Sequence, residues 1–265
     1  MLKISIVTPS FNQARYLEEC LLSVKEKNYS NLEHIVVDGA STDGTVGILK
    51  QYSELSGWEH LRWISEPDGG QADAINKGLT LATGDILAYL CADDAYAPGA
   101  FDFVNDFFRQ HPEVDLIYGE CHFIDQRGKV VRRKRAPPFH ESHLLRRNLI
   151  LQPTVFFRAE VWHRVGLFSV SLHYAMDYEY WLRASAVCRI VPVERHLAYY
   201  RLHADSKTVK AHRKMLREGY DVACQFGGGG LLSWYLFCVY WPSTARLKRW
   251  LFSRLVGMRL LGWHP

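Results

Sequence analysis

Two adjacent carboxylates, Asp93 and Asp94, follow an apolar run, Asp85-Ile86-Leu87-Ala88-Tyr89-Leu90-Cys91, that reads as a buried strand. Open α/β sheets bind ligands beyond the carboxyl ends of their strands. Unpaired charges are too costly to be core residues, and carboxylate oxygens are hard ligands suited to Mg or Mn. A metal held there could neutralise a diphosphate. The competing reading is a solvated turn or a helix cap before Pro98, because Asp favours both.

The elements that must position this pair alternate along the chain. Residues 3–9, 33–38, 61–65 and 86–91 are short, apolar and strand-like. Between and after them, residues 14–27, 45–55, 72–82 and 99–110 have helical spacing. This rhythm predicts a mostly parallel sheet covered by helices on both faces. After residues 115–119 it breaks. Residues 120–125 and 129–133, joined by Gln126-Arg127-Gly128, read as an antiparallel hairpin. Two more short strands are expected at 189–192 and 197–202. The basic run 132–135 reads as an acceptor contact or as a solvated strand end.

Composition bounds the function. The chain has 265 residues, 48% hydrophobic and 23% charged, enough for one large domain with an appendage. Six cysteines, at 20, 91, 121, 188, 224 and 238, form no CxxC, as expected for reduced thiols in a cytoplasmic protein. Neither a secretory signal nor an apolar stretch of spanning length is recognisable. Residues 231–265 carry Arg246, Lys248, Arg249, Arg254 and Arg259 and no acid. These five cations exceed the whole chain's net charge of +4, so the body is close to neutral and no nucleic-acid surface is indicated.

No GxGxxG follows the first strand, which excludes the dehydrogenase fingerprint. Instead that strand ends in Thr8-Pro9-Ser10-Phe11-Asn12, and the second in Asp38-Gly39-Ala40-Ser41-Thr42-Asp43-Gly44-Thr45. Asp38 is expected to accept hydrogen bonds from a nucleoside, with no capping duty of its own. Ser41, Thr42 and Asp43 are better read as caps of the following helix.

In these segments the chain resembles the family 2 glycosyltransferases, non-processive members with the GT-A nucleotide-sugar-binding fold. The resemblance continues through Glu66-Pro67-Asp68-Gly69-Gly70-Gln71-Ala72-Asp73, Ala82-Thr83-Gly84-Asp85-Ile86 and Ala92-Asp93-Asp94. Gln152-Pro153-Thr154, Met176-Asp177-Tyr178 and Tyr200-Arg201-Leu202-His203 complete it, over about residues 1–208. It implies roles for single residues. Thr8, Asp38 and Asp73 would border the nucleoside. Asp93 would face the nucleotide-sugar, and Asp94 would ligate a divalent metal, Mn or Mg, on the diphosphate. His203 would be a metal ligand or a phosphate donor, and Arg201 a bidentate phosphate contact. Asp177 matches the catalytic base, which a sugar hydroxyl needs in order to attack. A helix cap is the other duty Asp177 could serve. The acid that often precedes this base is replaced by Met176. Tyr180 and Trp181 read as core. The QxxRW motif of processive synthases does not occur.

The expected fold is a GT-A α/β catalytic domain over residues 1–210, with a helical, basic and aromatic appendage over 211–265. The expected function is inverting, metal-dependent transfer from a nucleotide-sugar, foremost a UDP-sugar, to a hydroxyl of a glycan or lipid-linked acceptor in surface polysaccharide biosynthesis. A catalytically silent sugar-nucleotide or glycan-binding protein and a nucleotidyltransferase are the alternatives. Beyond the glycines 227–230, the appendage combines its cations with four of the eight tryptophans. That pattern suits a peripheral helix on an anionic membrane, and equally a helix packed on the core or a dimer contact.

Overall fold

The computed structural model describes residues 1–25 and 29–228. The N-terminal half is the expected alternation: β1 (Ile4–Ser10), α1 (Ala14–Val24), β2 (Leu32–Asp38), α2 (Thr45–Ser53), β3 (Leu61–Ser65), α3 (Gln71–Leu81) and β4 (Ile86–Tyr89). There follow β5 (Ala95–Tyr96), α4 (Ala100–Gln110), β6 (Leu116–Ile124), β7 (Val130–Lys134) and the single turn α5 (Glu141–Leu144). A 3₁₀ turn (Gln152–Thr154) leads into β8 (Val155–Arg158) and α6 (Ala159–Val165). The described chain ends with α7 (Met176–Ser185), β9 (Ile190–Arg201), α8 (Lys207–Lys210) and α9 (His212–Gln225).

All nine strands form one sheet, in the order β3-β2-β1-β4-β8-β6-β9-β5, with β7 paired to the far half of β6. β1, β2, β3 and β4 are mutually parallel, and so are β6 and β9. β8 runs antiparallel to both β4 and β6, and the β6–β7 hairpin is antiparallel as expected. Two expected breaks are absent. Residues 115–119 and 120–125 belong to one strand, and the two short strands at 189–202 are one, β9, carried through register shifts opposite Glu120.

Alternation sorts the side chains to two cores. Ile4, Ile6, Ile86, Ala88, Ile117 and Phe156 face α1 and α4. Val7, Leu87, Tyr89, Leu116, Tyr118, Val155 and Phe157 face α3, α6 and α7. Tyr180 and Trp181 are both fully buried in the second core, so they are core residues as the sequence indicates. Among the described residues no helix is long and apolar enough to cross a membrane. The expectations for 231–265 lie outside the described residues, whereas α9, inside the expected appendage, packs on α7.

α3 lies on β1 at close range because Gly78 has no side chain: a Cβ there would stand 2.3 Å from Val7 Cγ1. Gly78→Ala should therefore destabilise the fold by about 1–3 kcal/mol, the usual cost of overpacking. Gly47 is the control, exposed on α2, where a Cβ would meet nothing within 4 Å. Gly47→Ala should stabilise by up to ~1 kcal/mol. Urea unfolding of both variants checks the contrast, and a neutral Gly78→Ala would show that the two elements can part.

Candidate active site

Parallel β1, β2 and β4 all end at the same edge of the sheet, and their following loops form one wall of a cleft of about 1160 Å³. The first two loops are tied together. Asn12 Oδ1 accepts from Thr42 N at 2.9 Å, and Ser41 Oγ accepts from Asn12 N at 2.7 Å. Asp43 accepts from Ala14 N at the start of α1 and from Thr45 N and Oγ1 at the start of α2. Asp43 thus holds the start of α2, as its residue type suggested, whereas Ser41 holds the Asn12 amide and Thr42 takes part through its own backbone N–H.

The loop after β4 carries the acidic pair. Asp94 N closes a turn onto Cys91 O at 2.9 Å. β5 then pairs with β9, which brings Arg201 alongside. Arg201 N donates to Asp94 Oδ1 at 2.8 Å, and Arg201 Nε donates to Asp93 O at 2.8 Å. His203 Nε2 and Asp93 Oδ2 are 2.9 Å apart. Cys91 Sγ and carboxylate oxygens of Asp93 and Asp94 all lie within 4.8 Å of one another. Asp94 is only 3% exposed. Burial and the neighbouring Asp93 charge push its carboxyl well above the usual range, against the Arg201 N–H. A carboxylate pair held this close, with Asp94 buried, suits a divalent cation. The two hard oxygen donors fit Mn or Mg, whereas the Cys91 thiol is a soft neighbour that those ions do not require.

Asp177 stands on another wall of the same cleft, in the first turn of α7. Its Oδ2 accepts from Asn148 Nδ2 at 3.1 Å and its Oδ1 from Tyr178 N at 2.7 Å. Burial raises its pKa to about 6, these two donors opposing and the Glu218 charge adding slightly. The turn before it is clamped from both sides. Glu218 on α9 accepts from the N–H groups of His173, Tyr174 and Ala175. Lys207 Nζ donates to His173 O at 3.3 Å and to Gln71 Oε1 at 2.7 Å. Gln71 Nε2 in turn lies 3.2 Å from Cys91 Sγ, and Gln152 Nε2 donates to Tyr89 O at 2.6 Å. One face of α9, with His212, Met215, Leu216, Gly219, Tyr220 and Ala223 at helical spacing, completes the enclosure.

Of the sequence-predicted residues, Asp93, Asp94 and Asp177 line the cleft. The other five do not, and for Thr8, Asp38 and Arg201 the structure shows buried side chains where a ligand contact was expected. Thr8 is fully buried, its hydroxyl 2.9 Å from His34 Nε2, because β1 is a central strand with helices on both sides. Asp38 is also fully buried and does organise a loop, accepting from Ser41 N, Ser41 Oγ and Ser65 Oγ. Arg201 is 2% exposed, with its guanidinium committed to Asp93 O, Asp125 O and Glu19 and lying over the Tyr16 ring. It holds the acidic loop and has no fork left for phosphate. His203 Nε2 lies 2.9 Å from Asp93 Oδ2, next to the acidic pair. Asp73 accepts from Gly69 N at 2.9 Å and pairs with Lys77, steadying the Gly69-Gly70 turn that opens α3. Cys91, Asn148, Lys207 and Glu218 were not singled out as site residues by sequence. Lys207 follows the Tyr200–His203 segment closely enough to have been found, but nothing local marks Glu218.

Comparison with known proteins agrees with this geometry. The M. tuberculosis H37Rv protein described as an uncharacterised glycosyltransferase is 31% identical over 217 residues, covering 80% of this chain and 78% of the relative. The structure of S. aureus TarS 1–349 with UDP-GlcNAc matches with a TM-score of 0.68 at 18% identity, over 98% of this chain and 76% of that one. The Pyrobaculum calidifontis mannosyltransferase PcManGT, solved with GDP-Man and Mn²⁺, matches with a TM-score of 0.70 at 19% identity over the same shares. The chain spans only 30–36% of the length of three longer curated relatives, from two Rickettsia species and from Escherichia coli.

Removing the Glu218 carboxylate should loosen the turn that presents Asp177. Glu218→Ala leaves three N–H groups to find water, and a loss of about 1–3 kcal/mol in denaturant unfolding is expected. A loss below ~0.5 kcal/mol, the level of an ordinary surface substitution, would mean that the clamp does not hold the turn. The profile of Glycosyl transferase family 2 matches residues 5–162, and with the mixed sheet and the strand-end acidic loop just described it places this chain in that family.

Proposed function

We propose that the protein transfers a sugar from a nucleotide-sugar, foremost a UDP-sugar, to a hydroxyl of a glycan or lipid-linked acceptor, with inversion at the anomeric carbon. The observation that carries this reading is that the Asp93-Asp94 pair and Asp177 open on one cleft. Asp94 and Asp93 would hold a divalent ion, Mn or Mg, which when bound offsets the charge of a departing nucleoside diphosphate. His203 and Arg201 keep the pair in place from behind. Thr8, Asp38 and Asp73 support the nucleoside side by shaping β1, the loop after β2 and the start of α3. Lys207 adds a cation on the cleft wall.

Asp177 takes the proton of the acceptor hydroxyl. As it does so, the hydroxyl oxygen bonds to the anomeric carbon and the bond from that carbon to the diphosphate breaks, its electron pair leaving with the nucleoside diphosphate. One base suffices for such a single displacement. TarS with UDP-GlcNAc and PcManGT with GDP-Man and Mn²⁺ support a nucleotide-sugar donor and a metal. A place in surface polysaccharide biosynthesis fits the Glycosyl transferase family 2 match. The basic, Trp-rich residues 231–265 support a further reading, attachment to the cytoplasmic face of an anionic membrane.

Three experiments test these points. A thermal-shift panel of UDP and GDP with and without Mn should show a metal-dependent rise in stability. Asp94→Asn should abolish that metal dependence and turnover, and normal metal-free turnover by this variant would refute the metal assignment. The second is a pH profile. A base with a pKa of about 6 is protonated below that value, so kcat should fall on the acid side with a limb near pH 6. Asp177→Asn should lower kcat by about two to four powers of ten with nucleotide affinity intact. The raised folded-state pKa makes ionised Asp177 unfavourable for folding above pH 6, an effect that disappears below the unfolded value near 4. Asp177→Asn should accordingly be about 3 kcal/mol more stable at pH 7.5 and equal to wild type at pH 3.5. Lost nucleotide affinity with unchanged kcat would make Asp177 a binding residue. The third is sedimentation with anionic vesicles, which deletion of residues 231–265 should abolish and high salt should weaken but not eliminate.

A further inference from the structure

The cleft has a second charged feature, a basic one. Arg146 and Arg147 line it, both exposed, in the segment immediately before Asn148. Asn148 is the residue that holds the Asp177 carboxylate. Among the described residues neither guanidinium has a carboxylate partner, although arginines elsewhere in the protein, such as Arg164, Arg183 and Arg201, pair with acids. The cations accumulate further along the same surface. Lys134 at the end of β7 is pushed below the usual lysine range by burial and then by Arg132 and Arg147. The basic run 132–135, which had two readings in sequence, is thus electrostatically continuous with the wall beside the base. The acidic pair Asp93-Asp94 belongs to the loop after β4, on a different wall of the cleft. The same cleft is also lined by apolar Ile150, Leu151 and, from α9, Met215 and Leu216.

Two guanidiniums without carboxylate partners among the described residues, on the cleft that also holds Asp177, constrain an acceptor whose hydroxyl is brought to that residue. A guanidinium fork matches the oxygens of a phosphate in bidentate fashion. Leaving two such groups without an anion in a partly enclosed cleft keeps their mutual repulsion uncompensated. We propose that Arg146 and Arg147 form the acceptor subsite and grip a phosphate group carried by the acceptor, so that its hydroxyl is brought to Asp177. This rests on reading Asp177 as the base, but phosphate binding can be measured without catalysis. The apolar residues of the same cleft leave room for a lipid chain on that phosphate, and a soluble sugar phosphate offers the same oxygens.

The test uses the full chain saturated with the nucleoside diphosphate that gives the largest thermal shift, with Mg, so that the donor's own phosphate site is occupied. Farnesyl phosphate, glucose 1-phosphate and farnesol are titrated by calorimetry against wild type, R146Q/R147Q and R146K/R147K. At least one of the two phosphates should bind wild type. Its affinity should fall at least tenfold in R146Q/R147Q and less in R146K/R147K, which keeps charge but loses the fork, and nucleotide affinity should change less than twofold. Farnesol should bind at least tenfold more weakly than farnesyl phosphate. Tighter binding of farnesyl phosphate than of glucose 1-phosphate would identify a lipid-linked source, and the reverse a soluble one. Equal phosphate affinity in wild type and R146Q/R147Q, or no phosphate binding once nucleotide is present, would overturn the proposal. Nucleotide binding is read separately in the same samples, so failure of the donor reading is distinguishable. The melting temperature of each variant, both positions being exposed, shows that the fold is intact.

Discussion

The architecture depends on keeping two neighbouring carboxylates, one of them almost fully buried, at the end of a strand inside a sheet. Desolvation and mutual repulsion both oppose this arrangement. The fold answers with a backbone donor and a committed side chain from one residue. Arg201 gives its N–H to Asp94 and its guanidinium to the Asp93 carbonyl and to Glu19, while His203, two residues on, takes the outer oxygen of Asp93. Arg201 reaches that position because β9 runs the length of β6 and then pairs with the two-residue β5 that follows the acidic loop. The long-range pairing of β9 is therefore a condition for the acidic site, and a substitution that shifts its register would act there without touching the carboxylates.

The base is held by different means. Asp177 sits in the first turn of α7, where helix N–H groups favour a negative charge, yet burial still keeps its pKa near 6. The turn before it has little regular structure, and α9 supplies the carboxylate that gathers its N–H groups. Lys207 and Gln71 then connect this turn to Cys91 beside the acidic pair. The two charged walls are thereby joined by neutral amides and one ammonium, so neither carboxylate set directly faces the other's nearest partners. This arrangement lets one wall favour a cation and the other a base that must remain able to lose its proton.

Much of this was readable in the sequence where the signal is local. β3 was placed to the residue, and the strands and helices of the parallel half within a few residues, because each buries a short periodic stretch and is joined to the next by a nearby turn. Asp93 and Asp94 stood out because they follow an apolar strand, whereas Asp177 was singled out only through the family resemblance. β9 was read as two strands because Glu194, Arg195 and His196 interrupt its apolar run. β8 has no strand reading from sequence, since its four residues Val155-Phe156-Phe157-Arg158 carry no polar–apolar alternation. Thr8 and Arg201 received ligand roles from the resemblance and Asp38 from its strand end as well, but the partners these side chains meet, His34, the Asp93 carbonyl and Ser65, come from elements distant in sequence. A side chain's hydrogen-bonding capacity is finite, and tertiary contacts had already filled it.

The same accounting explains why the exposed arginines carry more information about ligands than the buried one. Arg201 is buried against the Asp93 and Asp125 carbonyls and the Glu19 carboxylate, so its charge serves the fold. Arg146 and Arg147 meet none of theirs with carboxylates of the described chain, and the residue that follows them fixes the base. Polar groups in a partly enclosed cleft that are left without protein partners are the ones a ligand can satisfy at least cost in lost interactions. On that criterion the donor side of the cleft is defined by an excess of oxygen acceptors, and the acceptor side by an excess of nitrogen donors. A molecule spanning the two must then present a cation-bound diphosphate to one wall and an anion to the other, with the reacting carbon between them.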